Sequence, residues 1–524
     1  MSQFGSPPRL RGRRPAPPRK VRDQRAIAVV LLATAALGAG AVVSAIAGRG
    51  EPAAHPTARP TPAPVRAAKA PPARPRQAPA PAPGPVNPSV PGLTTFRGNL
   101  TRTYYGEGPI PRTRPRILWR FPRSGGLCAR SSDEHGTKTW CGLGWTGQPN
   151  VIPRPGGRGV ELRVGAYDDR YHFLDAATGR RLRPDLVTGD LAKGSATSDP
   201  DGYPLYYAGS RDNLFRIVAL DRRAPTVLWS IDADTSVPTP EWNNDWDGAA
   251  LVVGDYLLEG GENGWFYVVK LNRGWTAQHK VRVRPKIVLR VPSWDDALAA
   301  AWPTRSFSIE NSVAFRRGVA YFANSAGLVQ GWDISRVLAG GRGARRVFRF
   351  WTGDDTDASV VVDRRGRLYV ASELEKRTAR SAAVGQLMKL DPRRRRHPLV
   401  WHVALRQAGG DGSGGSWSTV ALDRGVVYGA TNHGGLVAVD QRTGKLLWTR
   451  PLPGPTWSSP VVVGNVLLEG DCSGYLNAFD VSDPRTRPRR LWRVRLGGCV
   501  EATPAVWRGR IYVGTRAGAL YALG

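Results

Sequence analysis

One sentence recurs along this chain, and it constrains the fold more than any single residue does. Residues 458–480 read SSPVVVGNVLLEGDCSGYLNAFD. Apolar runs at 461–463, 466–468 and 475–479 are separated by Gly464-Asn465 and by Asp471-Cys472-Ser473-Gly474, which is turn chemistry between β-favouring segments. At the C-terminus, TPAVWRGRIYVGTRAGALYALG repeats it almost position for position, Gly514 answering Gly470 and Gly518 answering Gly474. A period of this kind means that each copy buries its apolar face only against its neighbours.

Alignment on this sentence predicts eight copies. Their innermost strands open near Thr146, Ser195 or Ala196, Asp247, Glu310, Asp357, Ser416, Trp457 and Glu501. Their third strands end at Asp175, Asp221, Asn272, Asp333, Asp391, Asp440, Asp480 and Gly524, so copies are 40 to 61 residues apart. That spread places insertions in loops, most of all between Asp255 and Asp333. A fourth strand bearing Trp follows most copies, around Trp229, Trp401, Trp448 and Trp492, with Leu289 and Phe350 expected in its place elsewhere. The last copy stops after three strands, and RILWRF at 116–121 is expected to supply its fourth. Pairing the two ends closes the ring and removes its open edges. The expectation is an all-β, eight-bladed β-propeller over residues 94–524.

The region before it differs in kind. Residues 1–25 are Pro- and Arg-rich without apolar periodicity, the composition of a disordered tail. Residues 26–47 hold 22 positions without a charge, long enough to span a bilayer at roughly 1.5 Å per residue. Basic residues precede this run and only Arg49 follows closely. The positive-inside rule therefore puts the N-terminus in the cytoplasm and the rest outside, a single-pass protein of the cell membrane. Ala45-Ile46-Ala47 has the form of a signal-peptidase site, but the run exceeds the roughly 7–15 residues of a signal core, so an uncleaved anchor is expected. Residues 48–93 form a Pro/Ala-rich linker, a semi-rigid stalk without chemistry of its own.

The formal charge of +33 is divided unevenly. Eight Lys/Arg face Asp23 before Ala26, six face Glu51 between Gly48 and Thr94, and most of the excess lies in the repeats. Arginine scattered through loops reads as a solvated surface, and no nucleic-acid motif accompanies it, so no specific nucleic-acid partner is expected. Ser-His-Asp order, a phosphate loop and HExxH are likewise absent.

The AxD, xTGKxxW and G-x-x-x-G pattern in AVDQRTGKLLW (438–448), together with the opening TTFRGNLTRTYYGEGP (94–109), resembles the pyrroloquinoline quinone (PQQ) repeat family. The chain looks like the membrane-anchored actinobacterial members of that group. It is also similar to propellers that use the repeat without catalysis, such as the outer-membrane barrel-assembly lipoprotein. The resemblance implies the fold strongly and the function weakly. Quinoprotein dehydrogenases hold PQQ with Ca²⁺, use a carboxylate base and commonly stack a disulfide of adjacent cysteines on the quinone; adjacent cysteines do not occur here. The segment EWNNDWDG (241–248) is similar to a Trp/Asp-rich stretch of those enzymes. If the chain were one of them, the resemblance implies Asp247 as the catalytic carboxylate, with Asp245 as the alternative, and PQQ and calcium as cofactors.

Cys472 falls in a turn between second and third strands, Cys499 in a loop between blades, and Cys128 and Cys141 flank the loop before copy one. In a propeller these loops share one face, so Cys472–Cys499 and Cys128–Cys141 bridges are expected outside the membrane. CxxC spacing is absent, which argues against a Cys₄ metal site.

The innermost strands should also aim one residue per copy at the axis. Aligned, these are Thr146, Ser195 or Ala196, Asp247, Glu310, Asp357, Ser416, Trp457 and Glu501. Asp247, Glu310, Asp357 and Glu501 concentrate negative charge in a basic chain, and like charges so close raise one another's pKa unless a cation or donor sits among them. A divalent ion, an amine or a water-bridged polyol suits such a ring, with Trp457, Trp417 and Trp145 as a stacking surface; no metal site is assigned. The expected function is a membrane-anchored module binding an envelope protein or glycan, the alternative being a PQQ- and calcium-dependent dehydrogenase of an alcohol or sugar.

Overall fold

The computed structural model describes residues 83–133, 136–238, 243–302, 304–405 and 414–524. The N-terminal tail, the expected membrane span at 26–47 and nearly all of the linker lie outside the described residues. Among those described, no helix is long and apolar enough to cross a membrane.

Eight antiparallel sheets of four propeller strands are arranged as blades. Their innermost strands are Asn150–Pro153, Thr197–Ser198, Leu251–Val253, Ala314–Arg316, Val361–Val362, Ala421–Asp423, Val461–Val463 and Ala505–Trp507, in blades 1 to 8. Blade 8 takes its outer strand from Ile117–Phe121, which pairs antiparallel with Ala519–Leu523, so the two ends of the chain close the ring as the repeat count demands. Side chains of the first three strands form the core between neighbouring sheets; Leu257, Tyr267, Val370 and Leu468 are among those fully buried.

The repeat's TG-x-x-x-W spelling has a mechanical reason. Asp440 accepts from the Arg442 and Thr443 backbone N–H groups and from Thr443 Oγ1, which folds the turn after the third strand. Gly444, at φ +78°, then lies under Trp401 of the preceding blade, where a Cβ would come within 2.6 Å of the indole. Trp401 Nε1 donates to Gln441 O at 3.2 Å. The same bond links Trp448 to Pro484 O, Trp492 to Pro111 O and Trp119 to Ala176 O, so these four outer tryptophans each fasten their blade to the next. Leu289 takes the corresponding place opposite Val268. In blade 4 that residue is Phe348, opposite Gly331 beside the same outer-strand bulge as in the other blades, and not Phe350, which lies two residues further along and faces Val329.

The stretch ahead of the first blade does more than lead in. Leu93 bridges Val151 of blade 1, Thr94 O accepts from Ser198 N of blade 2, and Leu100 O and Thr101 O accept from Phe315 N and Val362 N of blades 4 and 5. Thr95 Oγ1 donates to Ala250 O of blade 3, Tyr105 OH accepts from Leu422 N of blade 6, and Gly106–Glu107 pairs parallel with blade 8. Seven inner strands are thus joined by one segment threaded across the axis. Its two arginines are fully buried. Arg102 donates to Val313 O, Ala249 O and Phe96 O, and Arg97 to Thr419 O and Val420 O. Backbone carbonyls at the hub need donors, and a guanidinium supplies several in one plane.

Candidate functional site: the axial funnel

Above the threaded segment, loops joining blades and turns between second and third strands gather on one face. A girdle of hydroxyls sets the register. Ser195 Oγ accepts from Gln148 N, Ser312 Oγ from Ala249 N, Ser359 Oγ from Ser312 N, Thr419 Oγ1 from Ser359 N and Ser459 Oγ from Thr419 N, each at 2.9–3.0 Å. In every blade the innermost strand begins two residues after the girdle position. The residue two before the girdle therefore faces the axis, and the ring reads Thr146, Lys193, Asp247, Glu310, Asp357, Trp417, Trp457, Glu501.

Two positions differ from the sequence expectation. Blade 2 presents Lys193, because Ser195 is spent on the girdle; blade 6 presents Trp417, with Ser416 one residue off and bonded to Ser418 O. The ring is consequently two-sided. Lys193, Asp247, Glu310 and Asp357 form a charged arc over blades 2 to 5. Trp417 and Trp457 face it with ring centroids 4.9 Å apart, and Trp145 reaches from blade 1 to donate through Nε1 to Trp417 O.

Two carboxylate cages are built alike within the charged arc. In blade 3, Asp245 and Asp247 precede the innermost strand and Glu262 joins them from the turn after the second strand, its N–H donating to Asp245 O at 3.1 Å. In blade 5, Asp355, Asp357 and Glu373 repeat the arrangement, with Glu373 N donating to Asp355 O at 2.8 Å. In both, one carboxylate oxygen from each residue lies within 4.8 Å of the others. No sequence motif joins Glu262 or Glu373 to the ring, because the first two strands of the blade and the turn between them separate each from its partners.

Their neutralisation differs. Lys193 Nζ sits in the blade 3 cage, 2.7 Å from Asp247, 3.2 Å from Asp245 and 3.5 Å from Glu262, and Arg211 Nε stands 3.2 Å from Asp245. Burial pushes the Asp247 carboxyl up to about 7, against the pull of Lys193; burial also works to lower the Lys193 ammonium, but the three carboxylates hold it well above the usual range. In blade 5, burial and mutual repulsion push Asp355, Asp357 and Glu373 well up. No Lys or Arg among the described residues is ion-paired with them.

The rim is stiffened. Cys128–Cys141 closes the hairpin of Cys128–Asp133 and Gly136–Cys141, and Cys472–Cys499 ties blade 7 to the loop before blade 8. Trp140 of the hairpin lies against Arg211 and Arg516, each 5.1 Å from its ring. Arg516 in turn pairs with Glu501 at 3.2 Å. The hairpin thus braces the two arginines that hold ring-side carboxylates.

Fold and repeat together define the class: the chain is an eight-bladed β-propeller of PQQ-type repeats. Residues 385–487 match the family model described as outer membrane protein assembly factor BamB. Quinoprotein alcohol dehydrogenase PedE of Pseudomonas putida is 31% identical over 88 residues, which is 16% of this chain and only 13% of that relative's length. Among solved structures, BamB from Moraxella catarrhalis aligns with TM-score 0.50 and 15% identity over 76% of this chain and 99% of its own. Quinohemoprotein alcohol dehydrogenase from Comamonas testosteroni aligns with TM-score 0.53 and 13% identity over 83% of this chain and 80% of its own. These likenesses fix the fold and leave binding and catalysis undistinguished.

The calcium that a dehydrogenase resemblance implies does not fit the blade 3 cage. Lys193 stands where the ion would have to sit, and a cation beside that ammonium would be repelled. The cysteines pair as Cys128–Cys141 and Cys472–Cys499, and none is adjacent in sequence to another.

Proposed function

We propose that this chain is a binding module, held at the cell membrane by residues 26–47 with the propeller outside, that captures an envelope protein or glycan at its funnel face. The observation that carries the reading is the two-sided ring. An indole pair stacks on the apolar face of a sugar or side chain, while the acidic arc opposite accepts hydrogen bonds from hydroxyls and amines. Lys193, already seated in its cage, needs no added metal to settle that half of the arc. The 22 uncharged residues at 26–47 support the anchor. Crosslinking in the native membrane, followed by purification, tests the reading: a recurrent partner is expected with the wild type and is lost with Trp457→Ala. Recovery of that partner with Trp457→Ala in equal amount would overturn the funnel as the capture site.

One observation favours a dehydrogenase instead. A carboxyl near pH 7 beside the axis is poised for proton abstraction. PQQ- and Ca²⁺-dependent reduction of a dye acceptor, abolished in a folded Asp247→Asn variant, would carry that second reading.

A further inference from the structure

We propose that the face of the propeller opposite the funnel docks on a bilayer containing anionic phospholipid, with Trp275 seated among the headgroups. In an antiparallel blade the connections between first and second strands, and between third and fourth, fall at the end away from the ring. The first-to-second connections of all eight blades and the third-to-fourth connections of blades 1 to 7 together hold 28 Lys and Arg against 8 Asp and no Glu. Arg112, Arg114 and Arg116 add to them ahead of the strand that closes blade 8. Asp440 and Asp480 at strand ends pair with Arg485 and Arg489, yet Arg223, Arg284, Arg395 and Arg487 stand exposed. The acidic arc lies at the other end, so arginines that look evenly spread along the chain are sorted to one face. A surface of one sign attracts a partner of the other, and an anionic bilayer offers phosphates across a plane.

The apolar side chains single out a bilayer over a soluble polyanion. Trp275, Ile117, Leu118, Val227 and Leu446 are 45–48% exposed. All stand at this end, Trp275 in the third-to-fourth connection of blade 3 and the others at the start of the outer strands of blades 8, 2 and 6. Trp275 belongs to a short hairpin of Gly274–Trp275 and Val281–Arg282. Its indole stacks on Tyr203 with centroids 5.5 Å and planes 19° apart, and the Arg273 guanidinium lies 4.8 Å from the Tyr203 ring. An indole fixed half in water beside arginines matches a bilayer interface, where Trp sits at headgroup level and basic side chains meet phosphate. The described chain also enters the propeller here. Gly84 O accepts from Asn99 Nδ2 at 3.1 Å, and Asn87 Nδ2 donates to Asp201 Oδ1 at 3.4 Å, two residues from Tyr203. The proposal rests on the membrane anchor proposed above only for the nearness of a bilayer, and it turns the funnel outward to a partner.

The test uses the full chain reconstituted into vesicles of phosphatidylcholine alone or with phosphatidylglycerol. Flotation reads attachment. Quenching by lipids brominated near the headgroup, taken as the difference between wild type and Trp275→Phe, reads docking. Quenching of Trp275 is expected only with phosphatidylglycerol and should vanish at about 1 M NaCl, where the screening length is roughly 3 Å. At the salt concentration that docks half of the wild type, Arg223→Gln and Arg284→Gln should each lower the docked-to-free ratio about five-fold, the equivalent of roughly 1 kcal/mol per basic residue at a charged surface. Lys376→Glu, exposed on the funnel face, should leave that ratio unchanged. Flotation with both lipids but without Trp275 quenching overturns the docking face and leaves the anchor standing. Flotation with phosphatidylglycerol alone, reversed by salt and accompanied by Trp275 quenching, upholds the face and refutes the anchor; flotation with neither lipid refutes both. Shielding of Trp275 from acrylamide by polyphosphate, with no quenching by either lipid, would assign the face to a soluble polyanion and overturn the proposal.

Discussion

Lys193 Nζ lies 2.7 Å from Asp247 Oδ2, joining the axial positions of blades 2 and 3 in one buried ion pair. Removing the ammonium strands Asp247 and Glu262, whose charge burial already disfavours, while Arg211 stays with Asp245. Lys193→Met is therefore expected to destabilise the propeller by about 3–5 kcal/mol. It should also move the Asp247 carboxyl higher still, because the lysine is what restrains it. Urea unfolding gives the first quantity. The second is read from the carboxyl stretch in infrared difference spectra, expected to titrate near pH 7 in the wild type and above it in the variant.

Arg102 serves the hub rather than the surface. Its guanidinium donates to Val313 O twice, at 2.9 and 2.6 Å, and to Ala249 O at 2.7 Å, binding blades 3 and 4 to the threaded segment. Arg102→Ala leaves those carbonyls unpaired in a dry interior, at about 1–3 kcal/mol each. Hydrogen exchange should accelerate at Phe315 and Val362, whose N–H groups bond to the same segment, while the outer strands keep their protection.

Gly444 tests the fastening between blades. At φ +78° with a Cβ held against Trp401, Gly444→Ala should cost roughly 1–3 kcal/mol in backbone strain before the displaced indole is counted. The urea midpoint should fall and the Trp401 emission shift to the red. An equal midpoint would show that blades 5 and 6 do not depend on this contact.

His172 gives stability a definite pH direction. It is fully buried with Nε2 3.1 Å from Asp168 and Nδ1 3.1 Å from Asp185. Burial opposes its charge, but the hydrogen bond to Asp168 and the Asp185 carboxylate beside Nδ1 outweigh it and raise the folded pKa above 6.5. The sign follows from linkage: the contribution is fully present below the unfolded pKa of about 6.5 and is lost as pH rises through the raised folded value. Unfolding free energy should decline over that interval, and His172→Gln should flatten the decline.

The eight blades and their closure are readable because turn glycines, third-strand ends and outer tryptophans recur with a period, and Ile117–Phe121 has no other place to pair. The ring is harder to read. Anchoring on Ser195 and Ser416 misses Lys193 and Trp417, although Lys-Gly-Ser, Glu-Asn-Ser, Asp-Ala-Ser, Trp-Ser-Thr, Trp-Ser-Ser and Glu-Ala-Thr share one spelling: an axial residue, a small or short one, then the girdle hydroxyl. Glu262 and Glu373 carry no such signal, since they come to the axis only when a turn folds back. Arg97 and Arg102 mislead in the opposite sense. In a chain so rich in arginine they read as solvated charge, and only the crowd of hub carbonyls explains why they are fully buried.

The segment threaded beneath the ring also settles the traffic. A propeller with an open hub is a tube, through which a molecule can enter at one end and depart at the other. Here Phe96, Arg97 and Arg102 lie wholly enclosed across the hub. A ligand captured at the ring as proposed would therefore leave past the same tryptophans that admitted it, and a bulky competitor bound at the mouth would slow release as much as capture.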